Sequence, residues 1–273
     1  MDLIEKYLPI FVFHPNETVH PVSIYDYLQK SSLIDVTKKK CSCINLNLSW
    51  NIDKYINCIQ KKYNIVVPRG NYNDIIKPEN YNQPNLSFLY TGPLSNTLVK
   101  SSPVYTYTHT KGNIISLYYW LFYPNQNPYS LDLCGKPFYL GGQHTADIET
   151  VQFDYNLDTK KIETAYYYRH GTPTELKFDD IEWKNNRPVV YVSLHSHASY
   201  HLNGVNFRFL GLLNDYTVPI LEGQLWMPDS TNIKSLNHSN GSDLDTFILH
   251  YNGNMGFNSI SSFATRIKKI KQL

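Results

Sequence analysis

The sequence predicts an all-β protein: a single antiparallel β-sandwich of jelly-roll type, with a few short helices that are mostly N-terminal. Three observations lead there. The chain holds 23 Tyr and 12 Phe, and aromatic side chains favour strands over helices. Between residues 113 and 171, three apolar, aromatic-rich runs are separated by breaks rich in Pro, Asn and Gly, the pattern of strands joined by loops. Apolar residues make up 42 % of 273, enough to bury one sizeable core. Residues 1–273 are therefore read as one domain, with short helices and loops of residues 1–85 packed on it and a basic tail at 260–273.

Taken in order, Ile10 to Phe13 is a short apolar strand, and His14-Pro15-Asn16-Glu17 is a turn, because a residue before proline avoids the helical region. Ser23 is placed to cap a helix from Ile24 to Lys30. Lys38 to Lys40 reads as a solvated loop and Asn45 to Trp50 as an alternating strand. Asp53 to Tyr63 has apolar residues at helical spacing. Asn71 to Pro84 reads as a long loop. From Leu86 the pattern is strands. Val104 to Thr110 alternates, and Ile114 to Tyr123 is a continuous apolar run, as expected of a strand buried on both faces. Asn125 to Gly142 reads as a loop containing Pro128 and Pro137. Asp147 to Tyr155 and Ile162 to Tyr168 form a hairpin across residues 156–160. Pro188 to Leu194, Leu221 to Met227 and Thr246 to Tyr251 complete the predicted strands. The tail around Arg266, Lys268 and Lys269 reads as a solvated turn.

The bulk numbers exclude some classes. With 25 basic and 23 acidic residues the net charge is +2, which gives no global field to draw nucleic acid. No apolar run approaches the length of a membrane span, and the acidic N-terminus has no signal-peptide pattern, so the default compartment is cytoplasmic or host-intracellular. Heavy use of Tyr, Asn, Ile and Lys fits an AT-rich genome such as that of a large DNA virus or a protist. Of the four cysteines, Cys41, Cys43 and Cys58 lack a redox or paired zinc spacing. They read as reduced thiols, with a zinc site or a disulfide as the alternatives.

The residues that point to chemistry are acids and histidines. Asp147 and Glu149 are two apart on a strand and share a face, with Ile148 turned into the core. His144 follows Gly141-Gly142, where the chain can fold back toward them. One imidazole and two carboxylates suit a divalent cation, Ca²⁺ or Mg²⁺. The same acids could instead be solvated strand residues. His195, His197 and His201 follow a buried strand, with His170 ahead of them, and serve as general-base or supporting candidates. No G-x-S-x-G, phosphate-binding glycine loop or H-E-x-x-H occurs, which removes the markers of three common enzyme classes.

Four stretches, Y-Y-W-L-F-Y-P, H-T-A-D-I-E, Y-Y-R-H-G and R-P-V-V-Y-V-S-L-H-S-H-A-S-Y, together with the N-terminal P-I-F-V-F-H-P-N-E-T-V-H-P-V-S, resemble in order the motifs of the vacuolar protein sorting-associated protein 62 family and its plant relatives. The resemblance covers Leu8 to about Gly204. More distantly, His144, Asp147 and Glu149 have the spacing of the G-H-R-H-D-W-E motif of the necrosis-inducing proteins, secreted cytolysins on a β-sandwich. That similarity implies a metal site at these three residues, with Asp132 as an additional ligand. Here Ile148 stands for the motif's Trp, Ala146 for its second His, and Lys136 where an aspartate is expected.

Two functional readings follow. The first is a non-enzymatic binding module that carries a divalent cation and engages a membrane-associated, glycan or protein partner. The alternative is a metal-assisted hydrolase on the same site, with His170 or His197 as base. A structural or virion component is the third reading.

Overall fold

The computed structural model describes residues 2–37, 51–93, 98–133, 136–208, 214–238, 241–256 and 261–272. The chain is mostly strand, in antiparallel and mixed sheets, with a few short helices. It forms two compact units. The first comprises residues 1–21, 96–122 and 148–238, the second residues 22–95, 123–147 and 239–273.

The first unit is a sandwich. One sheet has the order β12 (Trp183–Lys184), β13 (Arg187–Val192), β1 (Ile10–Phe13) and β17 (Gln224–Trp226), with β14 (Ser199–Tyr200) also paired to β13. The β1 sequence Ile-Phe-Val-Phe is buried at every position, as a strand inside a layer requires. It runs parallel to β13, with Ile10 opposite Val189 and Phe13 opposite Val192. The Arg187 side chain donates to the carbonyls of Leu8, Pro9 and Pro228 at 2.6, 2.9 and 2.7 Å, which ties the entry of β1 to the chain that leaves β17.

The other sheet runs β11 (Thr172–Lys177), β10 (Lys161–Arg169), β9 (His144–Asn156), β6 (Ile114–Gln126), β5 (Val104–Lys111), β18 (Ile233–Ser235). β6 and β9 continue beyond this unit at Tyr123 and before Ile148. Side chains alternate across β6. Tyr118 and Trp120 stack on one face with Tyr107 of β5. Tyr119 points the other way, onto Phe153, which meets Tyr167 edge-on. The Tyr167 hydroxyl crosses to the first sheet and donates to the Val189 carbonyl at 2.9 Å. The core therefore lies between these two sheets. β18 is parallel to β5, so both sheets are mixed rather than purely antiparallel. A separate two-stranded ribbon joins β15 (Gly204–Asn206) to β16 (Asp215–Thr217), with Val205 opposite Tyr216.

In the second unit, a three-stranded sheet β3 (Asn64–Val67), β2 (Ser31–Asp35), β4 (Leu86–Tyr90) carries the helices. α2 (Ile24–Gln29) begins at Ser23, whose side chain accepts from the Asp26 amide, as its sequence predicts. α3 (Ile52–Lys62) places Ile59 on Ile34 and Leu89. Tyr27, Phe88, Phe247 and Tyr251 form a continuous aromatic cluster.

Several expectations are corrected. Residues 246–250, read as a strand, belong to the helix α5 (Asp243–His250), capped by Ser242. The basic tail folds as α6 (Phe263–Ile270) and buries Phe263, Ala264, Ile267 and Ile270. The loop expected over 125–142 holds the end of β6 and a hairpin, β7 (Tyr129–Leu133) and β8 (Lys136–Gly141). The loop expected over 71–84 contains α4 (Tyr72–Ile75). Cys58 is disulfide-bonded, which replaces its reading as a free thiol or zinc ligand. Cys41, Cys43, Cys134 and the strand expected at Asn45 to Trp50 lie outside the described residues. No helix among the described residues is long and apolar enough to cross a membrane.

Candidate binding ribbon and its buried acid anchors

Three of the predicted histidines, His170, His195 and His197, converge on one region of the first unit. β13 ends at Val192, and the chain closes a tight loop before β14. Within it the His197 amide donates to the Ser193 carbonyl and the Ser193 amide to the Ala198 carbonyl, both at 3.1 Å. His195 and His197 hold left-handed backbone angles, φ 67° and 57°. Such conformations disfavour side chains with a Cβ and persist where the surroundings enforce them. Here the enforcing groups are two buried carboxylates.

The first is Glu17, 3 % exposed. One oxygen accepts from the amides of Thr18 and Val19 at 2.8 and 2.9 Å, the other from the His195 amide at 2.7 Å. The buried His197 ring lies 3.8 Å away, at ion-pair distance. Burial alone would raise this carboxyl. The His197 ring and the His195 backbone more than offset it and hold it at about 2. Burial pushes the His195 ring down, with Glu17 opposing.

The second is Asp215, in the ribbon strand β16 and 1 % exposed. It accepts from His170 Nε2 at 2.7 Å, Ser196 Oγ at 2.7 Å and the Tyr200 hydroxyl at 2.6 Å, with Arg208 Nη1 at 3.5 Å. Its burial is likewise more than offset by these donors, and its pKa lies below the ordinary carboxylate value. Each donor is delivered by local structure. His170 and Gly171, φ 51° and 81°, form the two-residue turn between β10 and β11. That left-handed pair is what a tight hairpin requires. Ser196 is the central residue of the strained loop. Tyr200 leaves β14 with the Arg169 guanidinium 5.4 Å above its ring.

These contacts decide the chemistry available. The Ser196 hydroxyl donates to a carboxylate and not to an imidazole, so it lacks the neighbouring base that an activated serine needs. Both acids have their oxygens occupied by donors that fix backbone. They act as anchors, and Asp215 anchors the ribbon.

Along the ribbon, Asp215 and Thr217 are buried while Tyr216 between them faces out beside Val205. Val205 and Tyr216 are about half exposed, Leu202 is 55 % and Phe207 79 % exposed. Leu221, on the turn that follows, is 96 % exposed. Single exposed apolar residues are ordinary, whereas a contiguous outward set is informative.

The other predicted residues lie elsewhere. His201 packs edge-on against the Tyr167 ring at 5.9 Å. His144 begins β9, where Ala146, φ 58°, interrupts the extended backbone before the buried Asp147. Glu149 is partly exposed further along the strand, and the Asp132 side chain is outside the described residues. Whether His144 fits a metal can be judged from its ring. Nδ1 lies 2.6 Å from the Ala146 carbonyl and Nε2 3.0 Å from Oε1 of Gln126, whose own amide nitrogen donates to Gly142 O at 3.1 Å. The Ala146 carbonyl can only accept, so in the neutral ring Nδ1 carries the proton and Nε2 faces the Gln126 side-chain amide. Among the described residues, no three His, Cys, Asp or Glu form a group that could hold an ion. No step is derived through a metal.

Sequence reasoning missed Glu17, Asp215, Ser196, Tyr200 and Arg208. Ser196 sat between two flagged histidines, and Glu17 in a recognised turn. For Asp215 no local signal exists.

The vacuolar protein sorting-associated protein 62 family matches residues 1–216. No curated protein sequence matches the chain. Among solved structures it is similar to one described as a toxin fold for microbial attack and plant defense (13 % identity, TM-score 0.36, covering 63 % of this chain and 68 % of that one). It is also similar to necrosis and ethylene inducing protein 2 from the causal agent of cocoa's witches' broom disease (16 %, 0.37, 65 % and 73 %), and to NLPPya in complex with glucosamine (12 %, 0.29, 49 % and 51 %). At these scores the structural likenesses bear on neither mechanism nor ligand. With 216 of its 273 residues inside the family match, this protein belongs to the vacuolar protein sorting-associated protein 62 family.

Proposed function

We propose that the protein is a non-enzymatic binding module and that the β15–β16 ribbon is its contact element, seated in the interfacial layer of a lipid membrane. The observation that carries this reading is the outward apolar set Leu202, Val205, Phe207 and Tyr216 on a ribbon whose inner face is pinned by Asp215. Moving side chains of this kind out of water is worth about 1.5–3 kcal/mol each, so together they supply a gross several kcal/mol.

A lipid surface suits this element better than a protein groove does. The ribbon is a two-stranded sheet of its own, with Val205 and Tyr216 opposite each other on its outward face. The residues that join its strands, 209–213, read Phe-Leu-Gly-Leu-Leu. Beside it, the Arg208 guanidinium is paired with Asp215 at 3.5 Å and a quarter exposed, and that exposed part is what anionic headgroups would approach. Tyr and Phe favour that same interfacial depth.

The test is co-sedimentation with phosphatidylcholine vesicles, with and without phosphatidylserine. The wild type is expected to partition onto both and more strongly onto the anionic ones. Phe207→Ser and Val205→Ser, at exposed positions where folding stability changes by less than about 0.5 kcal/mol, are expected to lose most of that binding. Wild-type protein that stays in the supernatant, or variants that sediment as it does, would sink the proposal.

A further inference from the structure

The second unit holds a cleft of about 610 Å³ between α2 and α4, inside the roughly 300–1,000 Å³ range of small-molecule sites. Its walls come from two short segments. Tyr25 and Gln29 are four apart on α2 and share a face. Asn71, Tyr72, Asn73 and Asp74 follow Gly70, whose left-handed φ of 91° turns the chain into α4. The Tyr25 and Tyr72 rings meet edge-on, centroids 5.1 Å apart at 68°, and Tyr25 remains 48 % exposed.

Three features describe what the cleft could hold. First, among the described residues it offers no free cation: its one lining acid, Asp74, is paired with Lys77 at 2.7 Å, and Asp243 and Asp245 lie near enough to act on Tyr72. Second, it offers amides. Asn71 occupies the N-cap position of α4, where an asparagine side chain ordinarily accepts from the first turn, yet it makes no capping bond. Among the described residues, the side chains of Asn73 and Gln29 likewise have no protein partner. Each amide is both donor and acceptor. Third, the rings are tyrosines. Burial, helped by Tyr25 and then by Asp243 and Asp245, holds the Tyr72 phenol up at about 12, so it stays a neutral hydroxyl.

We infer that this cleft is a carbohydrate site: a pyranose lies with a C–H face against Tyr25 and Tyr72, and its hydroxyls bond to the amides of Gln29, Asn71 and Asn73. Hydroxyls that donate and accept match amides that do both, and the C–H face of a ring sugar matches the two tyrosine rings set among polar side chains. An anionic ligand would find no free cation here among the lining residues, and an apolar one would leave three amides unpaired.

The site is independent of the lipid reading, and the experiment keeps the two apart. Saturation-transfer NMR on the full chain would use the methyl glycosides of glucose, galactose, mannose and N-acetylglucosamine, each to about 50 mM, covering the millimolar affinities of single-sugar sites. At least one is expected to receive saturation from tyrosine ring protons. Tyr25→Ala removes an exposed ring, and Asn71→Ala removes an amide that caps nothing, so both variants should fold. Each is expected to weaken binding at least about tenfold, whereas Phe207→Ser leaves it unchanged. No transfer to any of the four glycosides, or binding that survives in either cleft variant, overturns the inference.

Discussion

Replacing Asp215 tests the anchor of the ribbon most directly. Three short hydrogen bonds, from His170, Ser196 and Tyr200, end on this carboxylate at 2.6–2.7 Å. Hydrogen bonds to a charged group contribute about 1.5–3 kcal/mol each, but they share one acceptor and do not add. Asp215→Ala removes one side of a buried charged network and is expected to cost about 3–5 kcal/mol. Asp215→Asn should cost less. Its amide oxygen can keep His170 and Tyr200 on the Oδ2 side, and the Ser196 hydroxyl can turn to accept from the amide nitrogen. What it loses is the negative charge facing Arg208. The assay is urea unfolding of wild type and both variants at neutral pH, with hydrogen exchange read at 204–206 and 215–217. The order Ala worse than Asn is expected, with faster exchange concentrated in the ribbon. If Asp215→Ala costs under about 1 kcal/mol, or the lost protection is spread evenly over the first unit, then Asp215 is not the anchor.

Two further outcomes follow from the same geometry. Glu17 is held at about 2 in the fold against 4.5 when free. A depressed carboxyl stabilises above its free value and loses that contribution as pH falls through the folded one. Of order 3 kcal/mol should therefore disappear between about pH 4.5 and 2, with Asp215 adding in the same direction below 3.8. Urea midpoints measured across that window should fall more steeply for wild type than for Glu17→Gln, and parallel slopes would refute the assignment. On β9, His144 Nδ1 lies at the Ala146 carbonyl and Nε2 faces the Gln126 side-chain amide. If His144, Asp147 and Glu149 hold an ion as their spacing predicts, titration with Ca²⁺ or Mg²⁺ shifts the His144 ring resonances in NMR, and resonances that stay unmoved refute that reading.

Much of the fold was legible because burial on both faces writes itself into consecutive residues. Ile10 to Phe13 and Ile114 to Tyr123 are such runs, and both are strands. The same rule misled at Thr246 to Tyr251. A six-residue stretch with an apolar centre, here Phe247 to Leu249, is equally a strand or one and a half turns of buried helix. The deciding signal lay outside it, in Ser242, whose side chain caps α5 by accepting from the Asp245 amide. The hairpin at 129–141 was hidden by Pro128 and Pro137, which read as breakers. In the structure Pro137 sits inside β8, opposite Asp132.

The site divides along a similar line. Histidines two apart after a buried strand are a local pattern, and they led to the right loop. What that loop does depends on acids that arrive from far along the chain. Glu17 reaches the His195 amide across 178 residues, and Asp215 meets His170 across 45. No spacing rule connects such pairs, because the contact is created by β1 lying parallel to β13 and by the ribbon folding back over the loop. The histidines looked like candidates for chemistry. With their carboxylates in place, His170, His195 and His197 fix the loop beneath the ribbon, and the outward residues Val205, Phe207 and Tyr216, which carry no catalytic signature, are the ones on which the membrane proposal rests.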